Sequence, residues 1–218
     1  MSSNTPAPPP YEHQTDTTQF IINNPRCFIT SDPGTGKTRS VLDAHVPLNC
    51  TTLVFAPLSI LEAAWVDDIK KFQPTINCGV AYAKNRKKIF EDKNFDMVIT
   101  NFEAVNFLIK NPQYLERFDT LVVDEFTAFK NKDSKRSKNL KTLVGHFDRR
   151  IFMSGTPNSN TILDLWHPSL CVDDGKRLGN RFYSFRNQVC TSRFNGCANE
   201  RIDKPGIEET VAQMLSDS

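Results

Sequence analysis

SDPGTGKT, residues 31–38, follows the short apolar run CFIT (27–30) and leads directly into KTRSVLDAHV (37–46). Strand, tight loop and helix in that order are what a phosphate-binding loop requires. Gly34 and Gly36 permit positive φ and close approach, so the loop's backbone N–H groups can wrap a phosphate. The helix N-terminus adds a favourable dipole. Lys37 has the reach for the β- and γ-phosphates of a nucleotide, and the Thr38 hydroxyl is a ligand for Mg²⁺. Gly34, Thr35, Gly36, Lys37 and Thr38 are therefore the candidate ATP-binding residues. Ser31 stands where the G-x-x-x-x-G-K-[ST] pattern has its first glycine, but Ser is small and the G-x-GKT end is intact. The competing reading is a Gly-rich strand-to-helix turn carrying an exposed Lys. The flanking elements weigh against it.

Further apolar runs recur along the chain: TLVFA (52–56), NCGVAYA (77–83), FDMVIT (95–100), TLVVD (120–124) and RIFMSG (150–155). Most are continuous, not alternating, as expected of strands buried on both faces. Helical patterns separate them: SILEAAWVDDIKKF, KNRKKIFED, FEAVNFLIK and SKNLKTLVGHF. Strand and helix alternate, which predicts an α/β fold with a mostly parallel sheet and helices on both faces. A nucleotide loop also needs an acid at the end of another buried strand. LVVDE supplies Asp124 for the Mg²⁺ shell and Glu125 to orient and deprotonate an attacking water, so Lys37, Asp124 and Glu125 are the candidate catalytic set.

The whole chain has 218 residues and a formal net charge of +2, enough for one generous domain and neutral enough that any nucleic-acid surface must come from local patches. The first ten residues are Pro-rich and read as a disordered lead-in. MSSNTPAPPP shows neither a basic n-region nor an apolar h-region, and no run approaches the length of a membrane span, so a cytoplasmic protein is expected. The six cysteines form no C-x-x-C pair. Cys190 and Cys197 are near each other without a following His, which makes reduced thiols a better reading than zinc. KNRKK (84–88) and KNKDSKRSKNLK (130–141) are basic; each reads first as a solvated face. Trp65 and Trp166 read as core residues of amphipathic helices.

In order and spacing, SDPGTGKT, VFAPLSILEAAWVDDIKKF, VITNFEAV, VVDEFTAFKN and MSGTP resemble motifs I, Ia, Ib, II and III of superfamily-two helicases, most closely those of the Swi/Snf-like branch. The DLW…LGNRFYSFRNQ stretch is similar to phage and bacterial members. The resemblance covers about residues 9 to 215. It implies a RecA-like P-loop domain, ATP and Mg²⁺ as cofactors, and DNA as partner through sequence-independent backbone contacts, and it leaves the basic run 130–141 open between phosphate contact and a solvated face. By position it assigns Gln14, in PYEHQ, to the adenine edge with Tyr11 nearby. Pro57, Leu58 and Ser59 fall to a nucleic-acid-contacting segment, as do Thr100 and Asn101. Ser154, Gly155 and Thr156 match the segment that couples the ATP site to the nucleic-acid track. Ser59 and Asn101 are also good helix N-cap types, and the two roles are compatible.

Two departures stand out. Motif II reads Asp124-Glu125-Phe126-Thr127 where the family often has D-E-A-H, so a hydroxyl replaces an imidazole while both acids remain. The family motor has two RecA-like lobes, and none of the second lobe's arginine motifs is present. The expected organisation is a lead-in over 1–10, an ATP-binding lobe over 11–170, and an extension over 171–218 running towards a second lobe. That lobe belongs either to a longer motor or to a second polypeptide. The competing class is a non-catalytic module that binds DNA or a partner helicase. A small P-loop kinase would leave motifs Ia, Ib and III unexplained.

Overall fold

The computed structural model describes residues 7–156, 161–194 and 199–216. Helix α1 (Glu12–Asn23) precedes strand β1 (Arg26–Ile29), the phosphate-type loop and α2 (Lys37–Leu48). After β2 (Thr52–Ala56) comes a 3-10 turn over Leu58–Ile60, then a π-helical segment over Leu61–Val66 that runs into α3 (Asp67–Phe72). Strand β3 (Cys78–Ala81), α4 (Arg86–Glu91), β4 (Met97–Asn101), α5 (Ala104–Lys110) and β5 (Thr120–Asp124) follow. A 3-10 turn over Phe126–Phe129 leads to α6 (Lys135–Leu143) and β6 (Arg149–Met153). The last elements are α7 (Trp166–Asp173), α8 (Phe182–Val189), β7 (Cys190–Phe194), β8 (Asn199–Asp203) and α9 (Ile207–Ser216).

The first six strands form one sheet in the order β1-β6-β5-β2-β4-β3, and every pairing is parallel. All strand C-termini therefore share one edge, where ligands gather in open α/β sheets. The apolar runs explain the layering. Strands β2 and β5 are buried at every position, and alternate residues feed two cores. Leu53, Phe55, Val98, Leu121, Val123 and Phe152 join one; Val54, Ala56, Ile99, Val122 and Met153 join the other. Helices on both faces cover what would otherwise be exposed apolar surface, each large side chain contributing about 1.5–3 kcal/mol. The predicted fold class is the observed one.

The stretch SILEAAWVDDIKKF, expected as one helix, is divided among 3-10, π and α geometry. Beyond α7, the sequence reading also lacks the antiparallel hairpin β7–β8. Cys171, Val172, Leu178, Phe185, Val189 and Val211 pack into the same apolar cluster as β2, β4 and β5. Asp174, in left-handed geometry at φ +59°, closes α7 and ties this part to the sheet. It accepts from Arg26 at 2.8 Å, Lys141 at 2.6 Å and Arg150 at 3.0 Å.

Candidate nucleotide site

Register sets the site. Ile29 of β1 and Asp124 of β5 both lie level with Met153 of the intervening β6. The loop after β1, the acids at the end of β5 and Ser154 after β6 are thus brought to one place, although 123 positions separate Ser31 from Ser154 in the chain.

The loop is folded as a phosphate cradle. Gly34 and Gly36 both take φ +82°, and Gly36 ends the loop as the residue before α2. The Lys37 ammonium donates to the carbonyls of Ser31 at 2.8 Å and Asp32 at 3.0 Å, so it lies folded over the loop. Ser31, the departure from the usual glycine, has a use. Its hydroxyl accepts from Thr35 Oγ1 at 3.1 Å and laces the loop across its mouth. A Cβ on Gly36 would come 2.2 Å from Gln14 Nε2, so a side chain there would have to displace the Gln14 amide. Thr38 lies half-buried in the first turn of α2. Its hydroxyl and the Asp124 carboxylate are hard oxygen donors, the type Mg²⁺ takes alongside phosphate oxygens and waters. The residues present fit a Mg²⁺-bound nucleoside triphosphate.

The acids differ in setting. Asp124 is nearly buried, and Trp65 Nε1 donates to its Oδ2 at 3.0 Å. Burial pushes the Asp124 carboxyl up to about 6; the indole hydrogen bond and the charge of Lys37 oppose this, while neighbouring Glu125 adds to it. Glu125 is more open and takes left-handed geometry at φ +57°, which is unfavourable for a residue with a Cβ. Its Oε2 accepts from Ser154 Oγ at 2.8 Å, and the Thr156 N–H donates to the same Ser154 oxygen at 3.1 Å. The link between the segments after β5 and β6 therefore runs through Glu125. Gly155 is also structural here, since a Cβ on it would meet Pro33 Cγ at 2.7 Å.

Gln14 is drawn to the loop. Its Oε1 accepts from the Tyr11 N–H at 3.1 Å and its Nε2 donates to the Thr35 carbonyl at 3.0 Å. His13 Nε2 approaches the same carbonyl at 3.0 Å. Tyr11 is exposed and stacked on His13 with ring centroids 5.7 Å apart. Ser59 is exposed on the turn after β2, and Asn101, the last residue of β4, accepts from Arg86 at 3.0 Å. Thr100 is placed otherwise than a nucleic-acid contact needs: it is fully buried and its hydroxyl donates to the Ala81 carbonyl at 2.7 Å. Thr100 lies within the doubly covered part of β4, whereas Asn101 is its last residue and is only partly buried.

Trp65 is the site residue that sequence reasoning missed. It is a core residue, as expected, but its polar edge lies on Asp124. Arg149 and Arg150 lie at the opposite end of β6. Arg149 bonds the Ile21 and Asn24 carbonyls, and Arg150 those of Phe147 and Cys171. Cys190 donates to Asp203 at 3.4 Å, and burial, then the Asp203 hydrogen bond, push its thiol up to about 11. Cys197 lies outside the described residues. Among the described residues, no group of three or more His, Cys, Asp and Glu is placed to hold a metal, and no helix is long and apolar enough to cross a membrane.

Residues 11–183 match the family model described as the SNF2-related domain. Among relatives, a putative protein of Acyrthosiphon pisum secondary endosymbiont phage 1 is 29% identical over 91% of this chain and 44% of its own length. An uncharacterized ATP-dependent helicase of Mycoplasma pneumoniae is 31% identical over 64% of this chain and 14% of its own. The SWI2/SNF2 ATPase core of Sulfolobus solfataricus in complex with dsDNA superposes with a TM-score of 0.73 at 22% identity. That match covers 87% of this chain and 40% of the other, so the fold is shared and this chain spans less than half of the proteins it matches.

Proposed function

The chain belongs to the SNF2-related domain family, and on that premise we propose that it is the ATP-binding lobe of a DNA-dependent ATPase of helicase or translocase type. The observation that carries this reading is the level alignment of the Lys37 loop, Asp124, Glu125 and Ser154 at one sheet edge. Gly34 to Thr38 hold the triphosphate, and Lys37 leaves its own loop carbonyls for the β- and γ-oxygens. Thr38 and Asp124 hold the Mg²⁺, which when bound neutralises charge on the phosphate oxygens. Glu125 orients the attacking water and accepts its proton, with Ser154 fixing the carboxylate. Gln14 and Tyr11 lie beside the loop where a base would rest.

DNA engages the same edge further along the sheet, at Ser59 and Asn101. The exposed Lys135 and Lys138 of α6 add phosphate contacts that read no bases. A second RecA-like lobe, in a longer chain or a separate polypeptide, completes the site. Cys171, Phe185 and Val211 belong to this lobe's own apolar cluster. The relatives' greater length supports a second lobe, and so does chemistry, since an arginine finger is worth on the order of 10³–10⁵ in rate. Turnover by this lobe alone is therefore slow, in whichever soluble compartment ATP and DNA meet.

The test is single-turnover phosphate release from ATP, with and without duplex DNA, beside Lys37→Ala. Slow release that depends on Lys37 supports the ATPase reading. Release indistinguishable from the variant, with duplex still bound, would make the chain a DNA-binding module.

A further inference from the structure

Trp65 belongs to neither the phosphate loop nor the acid pair, yet its indole N–H lies 3.0 Å from Asp124 Oδ2. The ring is fully buried. A buried indole N–H needs an acceptor, and the ring sits in an apolar cluster with Leu61, Ile99 and Val122. The Asp124 carboxylate supplies it: Oδ2 accepts from the indole, and the carboxylate also accepts from the Glu125 backbone.

The other end of the connection is the chain itself. Ser59 lies exposed on the 3-10 turn Leu58–Ile60, and a single π-helical segment, Leu61–Val66, joins that turn to Trp65. Such segments are rare and are frequently found at functional sites. Each residue of an α-helix advances the direction of its side chain by about 100°. Relaxation of the π segment to α geometry would therefore turn Trp65 away from Asp124 or displace the turn that carries Ser59.

We propose that Trp65 is a positioning residue that couples the nucleic-acid-facing turn at Leu58–Ile60 to the nucleotide acid Asp124. This rests on the roles given to Ser59 and Asp124 above. A duplex that moves the turn moves the indole, and so resets the carboxylate that faces Mg²⁺. By reciprocity, nucleotide changes DNA affinity by the same factor as DNA changes nucleotide affinity.

The chain has two tryptophans, so ¹⁵N-labelled protein gives two indole N–H signals. Trp166, whose indole donates to the Gly179 carbonyl at 3.1 Å, is the internal reference. A non-hydrolysable ATP analogue with Mg²⁺ and a short DNA duplex are added separately, and binding of each is followed by fluorescence anisotropy. Trp65→Phe assigns the signals and removes the donor while keeping a ring. Both ligands are expected to move the Trp65 signal and leave Trp166 in place. In Trp65→Phe the coupling factor between the two ligands falls to one, whatever change either affinity takes alone. Duplex binding with an unmoved Trp65 signal overturns the inference and leaves the ATPase reading standing. So does a coupling factor of one in the unaltered chain, or a factor unchanged by Trp65→Phe. Absence of duplex binding overturns the DNA reading and this inference together. If the Phe variant does not fold, Trp166→Phe assigns the signals and the shifts in the unaltered chain decide.

Discussion

The hydroxyl of Ser154 donates to the Glu125 carboxylate at 2.8 Å, between residues 29 positions apart in the chain. The bond joins the ends of neighbouring strands β6 and β5 and holds Glu125 in a left-handed conformation that its Cβ disfavours. Ser154→Ala is expected to lose a hydrogen bond to a charged group, about 1.5–3 kcal/mol by urea unfolding. Nucleotide affinity is expected to hold, because the cradle is untouched, while single-turnover phosphate release slows. A variant that loses affinity and keeps its release rate would place Ser154 in binding and not in the orientation of Glu125.

The two loop glycines separate two kinds of requirement. Both take φ +82°, but a Cβ on Gly34 meets nothing within 4 Å, while one on Gly36 strikes the Gln14 amide. Each Ala variant carries the cost of a left-handed non-glycine residue, about 1–2 kcal/mol. Gly36→Ala must also displace Gln14 from the Thr35 carbonyl. Its unfolding free energy and nucleotide affinity are both expected to fall further than those of Gly34→Ala. Equal losses would mean that Gln14 yields freely and does not brace the loop.

Acid sensitivity is expected from His167, buried on α7. Burial, then the charges of Lys141 and Lys132, hold its imidazole down at about 4 against an ordinary 6.5, with the Phe129 carbonyl pulling the other way. The folded pKa lies below the unfolded one, so the contribution to stability is full above pH 6.5 and is lost as pH falls towards 4. At full loss it amounts to about 3 kcal/mol. Urea unfolding of His167→Gln is expected to show a shallower decline across that window than the unaltered chain. Parallel declines would contradict the assignment.

Most of the architecture was legible because burial on both faces leaves a plain mark. β2 and β5 are continuous apolar runs, and the loop glycines announce backbone that a side chain would block. The Asp-Glu pair could be read because an apolar strand points it at the edge where ligands gather. Less could be read where one residue serves two neighbours. Trp65 has the helical spacing of a core residue with Leu61 and Ile69, and so it reads as one. The clue was chemical, since a buried indole must find an acceptor and a strand-end carboxylate was available. Thr100 and Asn101 look alike as polar residues at a strand end, and only the point where the covering of β4 stops separates the buried one from the partly buried one. The β7–β8 hairpin carries an Asn-Gly pair between its strands, a turn signal flanked by too few apolar residues to be decisive. Asp174 gathers Arg26, Lys141 and Arg150 from three distant segments, which local pattern cannot show.

The central claim is that Ser31–Thr38 binds ATP with Mg²⁺. The most direct test is titration of the 218-residue chain with a fluorescent ATP analogue, with Mg²⁺ or with EDTA, beside Lys37→Ala. The account predicts saturable binding that weakens at least about tenfold without Mg²⁺ and again without the lysine, a loss of about 1.4 kcal/mol or more in each case. Binding that is equal in all three conditions, or absent in the unaltered chain, would contradict it.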